Sequence, residues 1–153
     1  MNAGSPIVFA YDGSEHARKA VERAGAVLQP GSAVVVCVWT PIALAAPAAT
    51  LGVSPAVAFG GARELDAAAR ERAERLADEG AELARAAGFE AEGRAVEGAA
   101  PAWHAILRCA DELDASVIVA GSRGRSRMAA ALLGSTAQGL LHHAHRPVLV
   151  VAG

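Results

Sequence analysis

Pro6-Ile7-Val8-Phe9-Ala10-Tyr11 runs straight into Asp12-Gly13-Ser14, and the fold is decided at that junction. A short run that is nearly all apolar reads as a strand buried on both faces. Ser14 is a good N-cap, and behind it Ala17, Ala20, Val21, Ala24 and Leu28 keep helical spacing until Pro30-Gly31 closes the segment. Strand, tight turn and helix therefore follow one another within 31 residues.

The same alternation continues along the chain. Residues 33–39 (Ala-Val-Val-Val-Cys-Val-Trp) form a second buried strand. A third, residues 89–96, alternates with Glu90, Glu92 and Arg94 and so belongs nearer a sheet edge. Residues 116–120 and 147–151 are the fourth and fifth. Between them, residues 63–87 place Leu65, Ala69, Ala73, Leu76, Leu83 and Ala87 on one helical face. Residues 101–113 open on a proline suited to a first helical turn and turn Trp103, Ile106, Leu107, Ala110 and Leu113 inward. The last helix spans residues 135–144. Strands separated by helices pair in parallel, because parallel neighbours need crossovers. The expected architecture is a single three-layer α/β domain over residues 1–153. One stretch departs from it: residues 40–62, rich in alanine and proline, read as a flexible loop.

Composition narrows the function. A chain of 153 residues buries a sufficient core without a disulfide or structural metal. Apolar residues make up 53%, but 39 of them are alanines, which add helix propensity more than core volume. The net charge of −2 argues against a nucleic-acid coat or a membrane-surface protein. The first residues lack the pattern of a signal peptide, and no uninterrupted apolar run reaches the roughly 18 residues of a membrane span. Cys37 and Cys109 sit inside apolar patterns and read as buried thiols in a reduced cytoplasm. The charge is unevenly placed, however. No acid follows Asp114, whereas Arg123, Arg125, Arg127 and Arg146 do, leaving the last 39 residues at +4 and the first 114 at −6.

In open α/β sheets, ligands bind beyond the carboxyl ends of the strands. The residues after the first strand are Asp12-Gly13-Ser14, and after the fourth come Gly121-Ser122-Arg123-Gly124-Arg125-Ser126-Arg127. Gly121 and Gly124 permit a tight loop with unobstructed backbone N–H groups. Gly134 and Ser135 set further N–H groups at a helix N-terminus, where the dipole favours an anion. With three arginines alongside, the pattern describes a polyphosphate site.

Gly121-x2-Gly124-x9-Gly134-Ser135, followed by Arg146-Pro147-Val148-Leu149-Val150-Val151, resembles the ATP-binding branch of the universal stress protein family. Residues 7–14 and 114–125 match as well, so the likeness spans the chain outside residues 40–61. The resemblance implies a Rossmann-like five-stranded parallel sheet in the order 3-2-1-4-5 and a homodimer formed through the last strand. It implies that Asp12, with Ala10 and Tyr11 beside it, and the backbone of Val38 flank adenine and ribose. Gly121, Ser122, Arg123 and Gly124 would wrap ribose and phosphates. Gly134, Ser135 and Thr136 would hold the phosphate tail, with Mg²⁺ or Mn²⁺. Ala137 departs from the family, which often carries a hydroxyl two positions after this serine.

Other polar residues have plainer readings. His142, His143 and His145 suit the negative end of the last helix better than a metal site. His16 reads as a surface histidine near the proposed site, Trp103 as core, and Trp39 either as core or as a cover for adenine. The expected function is a regulatory nucleotide sensor of the cytoplasmic stress response, with an unidentified protein partner and slow hydrolysis at most, since the phosphate loop has no lysine and no acid. A Mg²⁺-dependent ATPase using Asp12, and a partner-binding module without nucleotide, are the alternatives. A phosphoacceptor domain would need clustered acids after the first strand and a lysine after the fifth; only Asp12 is present, and the single lysine, Lys19, lies in a helix.

Overall fold

The computed structural model describes residues 4–42, 61–124 and 132–153. Five strands, β1 (Ile7–Ala10), β2 (Ser32–Trp39), β3 (Glu90–Glu97), β4 (Val117–Gly121) and β5 (Val148–Val151), form one sheet in the order β3-β2-β1-β4-β5. Every neighbouring pair is parallel, with Phe9 opposite Val35 on one side and Val119 on the other. The helices described are α1 (Glu15–Val27), α2 (Ala62–Ala86), α3 (Trp103–Glu112) and α4 (Ser135–His143). The expected three-layer α/β architecture and strand order are therefore present. The flexible loop expected at residues 40–62 falls largely outside the described residues.

Side-chain alternation sorts the strands onto two cores. Ile7, Phe9, Tyr11, Val35 and Val119 pack against α1 and α2. Val8, Val34, Val36, Ile118 and Ala120 pack against Ile106, Cys109 and Ala110 of α3 and Leu140 of α4. Ala17, Ala20 and Ala24 of α1, and Ala73, Ala77, Ala81 and Ala84 of α2, are all at most 4% exposed. Alanine is thus the contact surface that brings these helices close to the sheet, a larger part in the core than its small volume suggests. Gly93 of β3 shows how close: a Cβ there would stand 2.6 Å from the Ala77 carbonyl carbon.

Helix ends follow local chemistry. The Ser14 hydroxyl accepts from the Ala17 N–H at 3.2 Å, capping α1 as its sequence implies. Two expectations need correction. Leu65, placed by spacing on the buried face of α2, is 59% exposed. A helix of 25 residues is about 37 Å long, whereas the eight-residue strands beneath it span about 26 Å, so its first turns overhang the sheet. Pro101 lies in the turn before α3, which starts at Trp103.

The two cysteines are buried thiols with no disulfide between them. Burial pushes the Cys109 thiol pKa up. Among the described residues, no helix is long and apolar enough to cross a membrane.

Candidate functional site

At the C-terminal edge of the sheet, where β1 and β4 part towards opposite faces, a cleft of about 200 Å³ opens. Its floor is small and apolar: Ala10, Val36 and Val38 from the strands, Ala17 from α1, and Ala102 with Ile106 from the α3 side. Asp12, Gly121, Arg123, Gly124 and Thr136 form its polar rim. A larger concavity of about 740 Å³ lies at the opposite end of the sheet, but its charged lining is Glu90 and Asp114, which repel an anion.

The β1 turn is fixed from within. The Ser14 N–H donates to Asp12 Oδ1 at 2.9 Å, which leaves Oδ2 directed at Gly124. A Cβ on Gly124 would meet that oxygen at 2.8 Å. Gly13 adopts φ +79°, a left-handed turn that a side chain would strain. Gly121 passes so near the start of α1 that a Cβ would lie 2.7 Å from the His16 carbonyl carbon. Both loop glycines are needed for close approach.

The second half of the loop is held by its backbone. Ser122 N–H donates to the Val151 carbonyl at 2.9 Å, and the Ser122 carbonyl accepts from Gly134 N–H at 2.8 Å. Gly134 caps α4 with extended backbone and no side-chain bond. Helical geometry leaves the N–H groups of the first α4 turn without intrahelical acceptors, and these carry the positive end of the dipole.

Of the residues singled out by sequence, Ala10, Tyr11, Asp12, Val38, Gly121, Arg123, Gly124 and Thr136 all line the cleft. Ser122, Gly134 and Ser135 lie beside it: Ser122 and Gly134 in the loop-to-helix join, and Ser135 exposed on the first turn of α4. Tyr11 contributes its backbone, bonded through N–H to Val36, while its ring turns into the opposite core. Burial, then its hydrogen bond to Glu79, holds the Tyr11 phenol pKa well above the ordinary tyrosine value. Ala137 is 2% exposed and faces inward. Arg125 and Arg127 lie outside the described residues.

Three further residues are placed by their contacts. Trp39 packs with Cys37, Ala73 and Ala77 on the α2 side, because it points opposite to Val38, and so does not cover the cleft. Arg146 is bonded to the Asp111 carboxylate at 2.6 Å and to the Ala115 carbonyl, so one of the four late arginines serves the fold. His143 stacks flat on Trp103, with ring centroids 4.3 Å apart. Ala17, Val36, Ala102, Ile106 and Ala120 also line the cleft, and no motif in the sequence marks them. Val36 was within reach, since it shares the Val38 face of β2 two residues earlier.

A family model for the universal stress protein family matches residues 5–152. The chain belongs to the universal stress protein family. Solved structures share the universal stress protein fold over nearly the full length. A universal stress protein in complex with cAMP is 26% identical, with 98% of each chain covered and a TM-score of 0.65. The universal stress protein from Archaeoglobus fulgidus in complex with dAMP is 23% identical over 95% of this chain and 96% of that one, TM-score 0.64. The universal stress protein UspA from Lactobacillus plantarum is 20% identical over 96% and 97%, TM-score 0.72. Among curated proteins no relative matches.

Proposed function

We propose that this universal stress protein binds an adenine nucleotide, with ATP the first to be tested, and acts as a regulatory nucleotide sensor in the cytoplasmic stress response. The observation that carries this reading is the convergence of Asp12, the Gly121–Gly124 loop and the N-terminus of α4 around one apolar slot. The slot is smaller than the roughly 300–1,000 Å³ of common ligand pockets, so it suits a flat base and ribose. The phosphates then run outward past Arg123 towards the first turn of α4. Related universal stress proteins hold cAMP and dAMP, which supports an adenine-nucleotide ligand.

Mg²⁺ or Mn²⁺ fits as a companion of the phosphates. Asp12 Oδ2 and the Thr136 hydroxyl at the rim, with the Ser135 hydroxyl beside it, are hard oxygen donors, and such ions take few protein ligands when phosphate supplies the rest. Bound there, the ion would screen phosphate charge. Among the described lining residues Asp12 is the single acid and Arg123 the single base. That set suits retention of nucleotide with slow hydrolysis at most. Pairing through the partly exposed β5 edge would give a homodimer, and nucleotide held against Arg123 would alter the surface offered to a protein partner.

Equilibrium dialysis of the purified protein against ATP, ADP, AMP and cAMP, with and without Mg²⁺, tests this. Saturable ATP binding is expected. Absence of saturable binding by any of the four overturns the reading.

A further inference from the structure

Asp12 is the acid of the cleft, yet the residues on either side of it are gripped by a helix that contributes nothing to the cleft lining. Leu76, Glu79 and Gly80, spaced at i, i+3 and i+4 on α2, share one helical face. Leu76 fills the space above Gly13, where a Cβ would meet its Cδ2 at 2.8 Å. Gly80 admits the Tyr11 ring: a Cβ there would stand 2.9 Å from Tyr11 Cγ and 2.6 Å from Val35 Cγ1. Glu79 joins the set. Its Oε1 accepts the Tyr11 hydroxyl at 2.5 Å and pairs with Arg18 Nη2 of α1 at 2.7 Å. Arg18 Nε in turn points at the Gly13 carbonyl at 3.5 Å.

We propose that Glu79 is a positioning residue for the nucleotide site: through Tyr11 and Arg18 it sets the pose of the Tyr11-Asp12-Gly13 turn and so the direction of the Asp12 carboxylate. The chemistry favours a carboxylate at this junction. One oxygen serves both a phenol donor and a guanidinium donor, and charge-assisted bonds of this kind are shorter and stronger than neutral ones. An amide would keep the shape while weakening both bonds. Among the described residues Asp12 is tied through Oδ1 to the Ser14 N–H, so the pose of its neighbours bears on where its second oxygen points. The Tyr11 ring is buried at 3% exposure, which leaves its hydroxyl little freedom to find another partner.

The inference rests on the nucleotide-binding reading for its functional consequence but has a readout that does not. Glu79→Gln and Tyr11→Phe are compared with wild type by ATP affinity, thermal midpoint and the ¹H–¹⁵N resonances of residues 12–14 in the ligand-free protein. Each variant is expected to weaken ATP binding about three- to tenfold, and the double variant to be no weaker than the worse single one, because both break one linkage. The amides of Asp12, Gly13 and Ser14 are expected to shift in both. Variants that melt earlier but bind ATP as wild type, with unmoved resonances at 12–14, overturn the proposal and leave a purely structural bond. If wild type binds no nucleotide, the functional reading fails, and the resonances alone decide whether Glu79 sets the turn.

Discussion

Gly124 lies against Asp12 so closely that a single methyl group on its Cα would stand 2.8 Å from the carboxylate Oδ2. Two loops 112 residues apart in the chain thus meet at a contact that only hydrogen can occupy. Gly124→Ala should displace the Asp12 carboxylate and not the sheet, since the obstructing atom is a side-chain oxygen. ATP affinity is expected to fall about tenfold, near 1.4 kcal/mol, with little change in stability. Asp12→Ala should lower affinity too, but Gly124→Ala added to it should cost nothing more, because the clash is gone. Isothermal titration calorimetry on the four proteins checks this, and additive losses would refute it.

Gly93 is the opposite case. A Cβ there meets the Ala77 carbonyl carbon at 2.6 Å and the Asp78 nitrogen at 2.8 Å, backbone atoms that cannot swing aside. Gly93→Ala should push α2 off β3 and destabilise the fold by about 1–3 kcal/mol. Gly31, with open space at its Cβ position, is the control: Gly31→Ala should be neutral or slightly stabilising. Urea denaturation followed by circular dichroism distinguishes the pair.

How much of this was legible in the sequence depends on whether the deciding contact is local. Ser14 could be read as a cap because its acceptor role reaches only to Ala17. Glu90 and Glu92 announced an edge strand because an exposed face tolerates charge. Asp12, Gly121 and Gly124 were legible as a site because turns after parallel strands share one edge. The contacts hidden from sequence are those between elements. Nothing local says that Glu79, one of many acids on a charged helix, is the partner of Tyr11. Nor does spacing reveal that Leu65 overhangs the sheet, since helical periodicity does not record where the strand beneath ends. Trp39 and Val38 differ in role by the alternation of the strand, and only knowing which face holds the cleft resolves it.

Alkaline pH should expose the Tyr11 linkage. In the unfolded chain tyrosine titrates near pH 10, whereas burial and then Glu79 raise the native pKa of Tyr11. The native state therefore keeps its proton where the unfolded state loses it. The resulting stabilisation is fully present below about pH 10 and is lost as pH rises through the window above it, at a slope approaching 1.4 kcal/mol per pH unit. Tyr11→Phe should lower stability at pH 7 by about 1 kcal/mol through the lost hydrogen bond, and should flatten that alkaline decline. Urea midpoints between pH 8 and pH 11 measure both effects; equal alkaline slopes would count against the linkage.

The basic end of the chain divides into two functions, and Arg146 separates them. Its guanidinium binds Asp111 of α3 and the carbonyl of Ala115, a residue only 4% exposed, so it ties the end of α3 to the approach of β5. Arg146→Ala leaves that carbonyl without its partner and should reduce stability by about 1–3 kcal/mol. It should leave ATP affinity unchanged within about twofold, because its charge is already engaged by Asp111 before the start of β4, whereas the cleft lies at the other end of that strand. Arg123→Ala should do the reverse, weakening ATP binding and flattening its dependence on salt while the denaturation midpoint holds. Affinities measured for both variants at low and high ionic strength decide the matter. Parallel losses would mean that the late arginines act as one field, and a division of labour between site and scaffold would have to be abandoned.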